Sequence, residues 1–143
     1  MNEFLDRTRR IAVAHNGHID KPFGDGFLAT FDRPTDAVDF AIELQESVHT
    51  NPLSAAHRQL MRIALHVDDV VVAEVEYGRE LFGEGIKLAA RFQEQAAPGE
   101  MLVSERAYRE LPRDYAALFK ERRRVTLKRS PGLATVYIMR RDS

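Results

Sequence analysis

The sequence predicts an α+β sandwich of ferredoxin-like type, and three observations predict it. Helical and strand-like patterns alternate along the chain, tight turns join strand pairs where helices would give a parallel sheet, and no linker, repeat or low-complexity stretch divides the 143 residues. With 44% hydrophobic and 30% charged residues, the chain reads as one domain over residues 1–143, long enough to bury about two thirds of its unfolded surface.

Each element has a local cause. Residues 2–15 read as a helix stopped by Asn16-Gly17, a common helix terminus. Residues 18–23 and 27–31 read as two strands of a hairpin around Phe23-Gly24-Asp25-Gly26-Phe27-Leu28. Its Asp25-Gly26 pair suits the centre of a type I′ turn, where both residues need positive φ. Pro34 and Thr35 open a helix with Ala37, Phe40, Ala41, Leu44 and Val48 on one face, ended by Asn51-Pro52. Residues 60–76 read as a strand pair, alternating through Met61, Ile63, Leu65 and Val67, then running apolar from Val70 to Ala73. Asp68 and Asp69 between them read as a polar turn, not a metal site. Residues 85–96 place Gly85, Leu88, Ala89, Phe92 and Ala96 on one helical face. Pro98-Gly99 turns into a strand at Met101-Leu102-Val103, and Ser104 is an N-cap candidate for a short helix to Leu111. A closing hairpin takes residues 125–128 and 134–139 around Ser130-Pro131-Gly132.

Composition excludes several chemistries. The absence of cysteine rules out disulfides, thiolate zinc sites and thiol nucleophiles. No stretch has the length of a membrane span and the acidic opening has no apolar leader core, so a cytoplasmic location with no membrane partner is expected. The net charge of −1 is uneven: residues 1–75 carry 7 basic against 12 acidic side chains, and the rest carry 14 against 10. The basic tail lacks interleaved aromatics, and its alternation Arg124-Val125-Thr126-Leu127-Lys128 is that of a strand with one wet face. No nucleic-acid role is therefore expected.

The segment from Asn16 through Phe31, with Ala37-Val38 beyond it, resembles the centre of class III adenylate/guanylate cyclase catalytic domains. Arg62-Ile63-Ala64-Leu65-His66 resembles the strand before the family's dimerisation arm. The run from Leu81 to Phe92 resembles its glycine turn and following helix, and Ala97-Pro98-Gly99-Glu100 with Val103-Ser104 the next strand's entry. The resemblance spans nearly the whole chain and implies the fold of the nucleotide cyclases and polymerase palms.

The resemblance also implies roles. In this family two magnesium or manganese ions, held by two aspartates, activate a ribose 3′-hydroxyl and stabilise charge at the α-phosphate. Asp25 matches the second metal aspartate. The first belongs to an opening strand in a segment of the form Asp-x-x-Gly-Phe; the chain begins inside the following helix, so that strand and its carboxylate are expected to be missing. Lys21 matches the base-reading lysine of adenylate cyclases and Glu80 its partner, which together suit an adenine edge and make ATP the expected nucleoside triphosphate. Arg91 matches the transition-state arginine, and Lys87 stands where the family has an asparagine. The basic residue that the family uses on triphosphate falls on Ser130 or Pro131.

The expectation is a cyclase-homology domain in cyclic-nucleotide signalling, inactive or weakly active on its own. The alternative is an adenylate cyclase that makes cyclic AMP once the missing segment is supplied. A homodimer, or a heterodimer with another cyclase-type chain, is expected. The gap exposes sheet edges, and family sites pair Asp25 of one subunit with Lys21, Glu80 and Arg91 of another.

Overall fold

The computed structural model describes residues 3–23, 26–50, 61–68, 71–75, 78–128 and 132–140. It bears out the mixed helix-and-sheet class, arranged as two compact units, Met1–Leu60 and Met61–Ser143.

The first unit holds α1 (Glu3–Ala14), β1 (Gly17–Phe23), β2 (Gly26–Phe31) and α2 (Pro34–Thr50). α1 stops where expected, because Asn16 takes φ 62, a left-handed conformation that asparagine tolerates better than most side chains. β1 and β2 pair antiparallel from Gly17↔Phe31 to Phe23↔Gly26, with a bulge between Ile19 and Lys21. α2 buries the predicted face, Ala37, Phe40, Ala41, Leu44 and Val48, together with Val38. Phe31 and Phe27 of the hairpin meet Phe40 at 5.1 and 6.4 Å between ring centroids. Arg7 of α1 donates to the Ser47 carbonyl and hydroxyl of α2 at 3.1 and 3.2 Å, tying the helices together.

The second unit holds β3 (Ile63–Leu65), β4 (Val71–Val75), β5 (Gly78–Phe82), α3 (Glu84–Glu94), β6 (Glu100–Ser104), α4 (Glu105–Glu110), α5 (Arg113–Ala116), β7 (Glu121–Thr126) and β8 (Leu133–Arg140). Four strands form a sheet in the order β3-β6-β8-β7. β3 runs parallel to β6, with Ile63↔Met101, and the remaining pairs are antiparallel. The core packs Phe92 of α3 and Ala96 against Leu102, Val125, Leu127, Val136 and Ile138. Tyr108 of α4 lies flat on Tyr137 of β8, with centroids 3.7 Å apart and planes 9° apart.

Two local expectations need correction. β3 and β4 are not a strand pair: β3 joins β6, and β4 pairs with β5 in a separate two-stranded sheet. Asp68 lies between β3 and β4, and it also bonds Arg106 at 2.9 Å. The closing hairpin begins at Glu121, four residues before the apolar alternation starts, because charged pairs extend β7. Asp69, Asn51-Pro52 and Ser130-Pro131 lie outside the described residues.

Candidate functional site

The two units carry the five predicted site residues separately. Lys21 lies in β1 opposite Leu28, directly after the bulge. Asp25 lies outside the described residues, but the register around it is informative. Gly26 already belongs to β2 and pairs with Phe23. The bulge accompanies a buried carboxylate: Asp20, whose side chain is 2% exposed, accepts from Thr30 Oγ1 at 2.7 Å and lies 3.5 Å from His18 Nε2.

In the second unit Glu80 sits in β5 opposite Ala73, and the strand leads through Gly83 into α3. Gly83 has φ 145, which a side chain would strain, and it leaves α3 without a side-chain cap. Lys87 and Arg91 are one helical turn apart on α3 and so share a face. Lys87 is exposed and sits 3.7 Å from Glu84, a pair worth little in water. Arg91 is half-buried and takes part in no ion pair among the described residues.

The sequence did not announce a polar cluster beside α3. His66, at the end of β3, has an 8% exposed side chain; its Nδ1 is 2.8 Å from Ser104 Oγ and its Nε2 3.4 Å from Asp68 Oδ2. Ser104 accepts from the Ala107 amide at 3.2 Å, fulfilling its expected capping role. The tautomer follows from these partners. Nε2 carries the proton toward the carboxylate, while Nδ1 accepts the Ser104 hydroxyl hydrogen. Burial lowers the His66 pKa below its usual 6.5 and outweighs Asp68, which raises it. The available signal was a lone histidine and an aspartate closing an alternating strand, and only the β3–β6 pairing brings Ser104 to them.

A second network crosses three strands. Glu100, 2% exposed in its side chain, accepts from Arg123 at 2.9 and 3.2 Å and from the Ala97 amide, and lies 3.1 Å from Arg140. Glu121 accepts from both arginines. Burial acts to raise the Glu100 pKa, but the Arg123 and Ala97 hydrogen bonds and both guanidinium charges together hold it below the ordinary value. Glu121 falls to about 2, chiefly through Arg140 and Arg123. Of the basic tail read as a solvated face, Arg123 is half-buried in this network, whereas Arg122, Arg124, Lys128 and Arg140 are exposed as expected, Arg140 while bonded to Glu121.

Among the described residues no group of three or more His, Asp or Glu side chains is placed to hold a metal ion. No described helix is long and apolar enough to cross a membrane.

Known proteins resemble this chain along most of its length. It is 32% identical over 98 residues to a Rhizobium meliloti protein named "Putative adenylate cyclase 3", covering 64% of this chain and 15% of that one. It is also 31% identical over 102 residues to the Mycobacterium tuberculosis protein Rv1359, covering 68% of this chain and 37% of that one. The chain thus spans well under half of either curated relative. Among solved structures, a Trypanosoma brucei adenylate cyclase in its monomeric state matches with TM-score 0.73 at 18% identity, over 94% of this chain and 76% of that one. The catalytic core of a rhodopsin-guanylyl cyclase in complex with ATPαS matches with TM-score 0.74 at 20% identity, over 99% and 81%. At these identities the likeness speaks for the fold. The sequence model of the adenylate and guanylate cyclase catalytic domain matches residues 1–141, so the chain belongs to that family.

Proposed function

We propose that the chain acts as one cyclase-homology domain that binds ATP with a divalent cation in cyclic-nucleotide signalling and turns it over slowly or not at all by itself. The observation that carries this reading is the helix α3, which combines Arg91, in no ion pair among the described residues, with Lys87 in place of an asparagine. Arg91 suits a phosphate group. Lys87 has donors but no acceptor, and its flexible stem does not fix a ribose. Loss of one transition-state donor costs about a hundred- to a thousandfold in rate.

Domains of this family generally use divalent ions, and Asp25 is the residue that would hold one here, with the metal supplying Lewis-acid chemistry at the phosphates. Lys21 and Glu80 are assigned to the adenine edge, Arg91 and Lys87 to the phosphate and ribose. A cytoplasmic location and assembly as a dimer belong to the same proposal. Related solved structures support assembly in either form, one being a monomer and another a dimeric guanylyl cyclase domain from Blastocladiella emersonii. The test is titration calorimetry with ATPαS and magnesium: binding that weakens in Arg91→Ala is the expected result, and no binding overturns the reading.

One observation favours a second reading, an active adenylate cyclase completed by a further strand. β3 pairs on one side only, with β6, and β1-β2 form a sheet of their own, so both offer edges to another strand among the described residues. Robust cyclic AMP production from manganese-ATP by the chain together with a supplied strand segment, and not by the chain alone, is the outcome that selects it.

A further inference from the structure

α3 is held on one side by two contacts that both come from the segment leaving β3. Gly85, in its first turn, lies so close to Asp68 that a Cβ there would stand 2.5 Å from the Asp68 Cβ. Seven residues on, Phe92 meets the His66 ring at 5.4 Å between centroids. Residues 85 and 92 lie on one line along the helix, two turns apart, so the pair sets the rotation of α3 about its own axis. Lys87 and Arg91 project from the other side of the same helix, more than a quarter turn away from that line. Their direction is fixed by that rotation.

The His66 ring is itself anchored at both nitrogens. Ser104, at the end of β6, donates to Nδ1, and Asp68 accepts at Nε2; Asp68 is drawn in turn to Arg106 of α4. Ser104 donates to the neutral ring while accepting the Ala107 amide; toward a protonated ring its hydroxyl has to turn and accept from Nδ1 with its second lone pair. The charged groups acting on the ring are Asp68 and Arg106; β6 brings the uncharged Ser104 and α3 brings Phe92.

We propose that His66 is a positioning residue: in its neutral form it joins β6, Asp68 and Phe92 into one clasp that fixes the rotation of α3 and hence the aim of Arg91 and Lys87. The inference rests on the reading of α3 as a phosphate-facing helix for its functional consequence, and on the His66 contacts alone for its structural one. Protonating the ring reverses the Ser104 link and places a cation in a buried site, where Asp68 does not make up for the lost hydration, so the clasp loosens as the solution is acidified.

The experiment is amide hydrogen exchange on the full chain, corrected for intrinsic rates, alongside calorimetry with ATPαS and magnesium. Going from about pH 7.5 to about pH 5.5, protection of the α3 amides falls about tenfold while that of β7 and β8 holds. His66→Phe, which keeps the ring against Phe92 but removes both polar links, shows the low protection at both pH values and binds ATPαS about tenfold more weakly. Equal α3 protection in wild type and His66→Phe at both pH values overturns the proposal. Should His66→Phe fail to fold, Asp68→Asn, which leaves the ring in place, is expected to lower α3 protection at least about threefold, and unchanged protection again overturns it. If no ATPαS binds at any pH while α3 protection still depends on His66, the clasp stands and the nucleotide reading fails.

Discussion

Arg91 and Lys87 differ in what they can do although both are cations on one helix face. A guanidinium grips a phosphate through two parallel N–H groups, whereas the exposed Lys87 ammonium is shared with Glu84 and strongly hydrated. Arg91→Ala is accordingly expected to weaken ATPαS binding about tenfold, about 1.4 kcal/mol, by calorimetry. Lys87→Asn returns an oriented donor and acceptor and is expected to raise manganese-ATP turnover by at least about tenfold in a cyclic AMP assay; an unchanged rate removes Lys87 as the cause of the low activity proposed above. Of the residues involved, Asp25, Lys21, Glu80, Lys87 and Arg91 are assigned through the family resemblance. His66 was not, because a histidine at a strand end carries no local sign of a serine 38 positions away. Ser104 was legible as a cap, since that bond is made to an amide three residues on.

Elements written by local rules were read well from the sequence. The asparagine stop of α1, the apolar face of α2 and the cap of α4 all depend on residues within a turn or two of one another. What failed depended on pairing: the partner of β4 is decided by β5, and the start of β7 by arginines reaching Glu100 on another strand. The same logic makes α3 sensitive at a residue with no side chain. Gly85→Ala would press a methyl on Asp68, and overpacking of this kind costs about 1–3 kcal/mol, measurable as a lower urea midpoint. Glu100→Gln would leave Arg123 with a neutral acceptor inside the sheet. A loss of about 1–3 kcal/mol is expected, and a neutral result would assign the network to strand register and not to stability.

For the whole molecule, stability should respond to acid in two stages, both arising in the second unit. His66 has a lowered pKa, so the unfolded chain takes up its proton first and stability falls as pH drops below about 6.5. Glu100 and Glu121 are also lowered, Glu121 to about 2, so their contribution is complete above about 4.5 and lost as pH falls toward 2. Urea midpoints measured across this range should show a shallow decline and then a steep one, and His66→Phe should remove only the first. A convenient optical property follows from the tyrosine stack of α4 and β8. The chain has no tryptophan, and its four tyrosines, Tyr77, Tyr108, Tyr115 and Tyr137, all belong to residues 61–143. Intrinsic fluorescence excited at the phenol band therefore reports the second unit alone, and two rings lying 3.7 Å apart should quench each other until α4 leaves β8. Separation of that pair is a built-in brightness signal, while the phenylalanine-lined first unit stays dark.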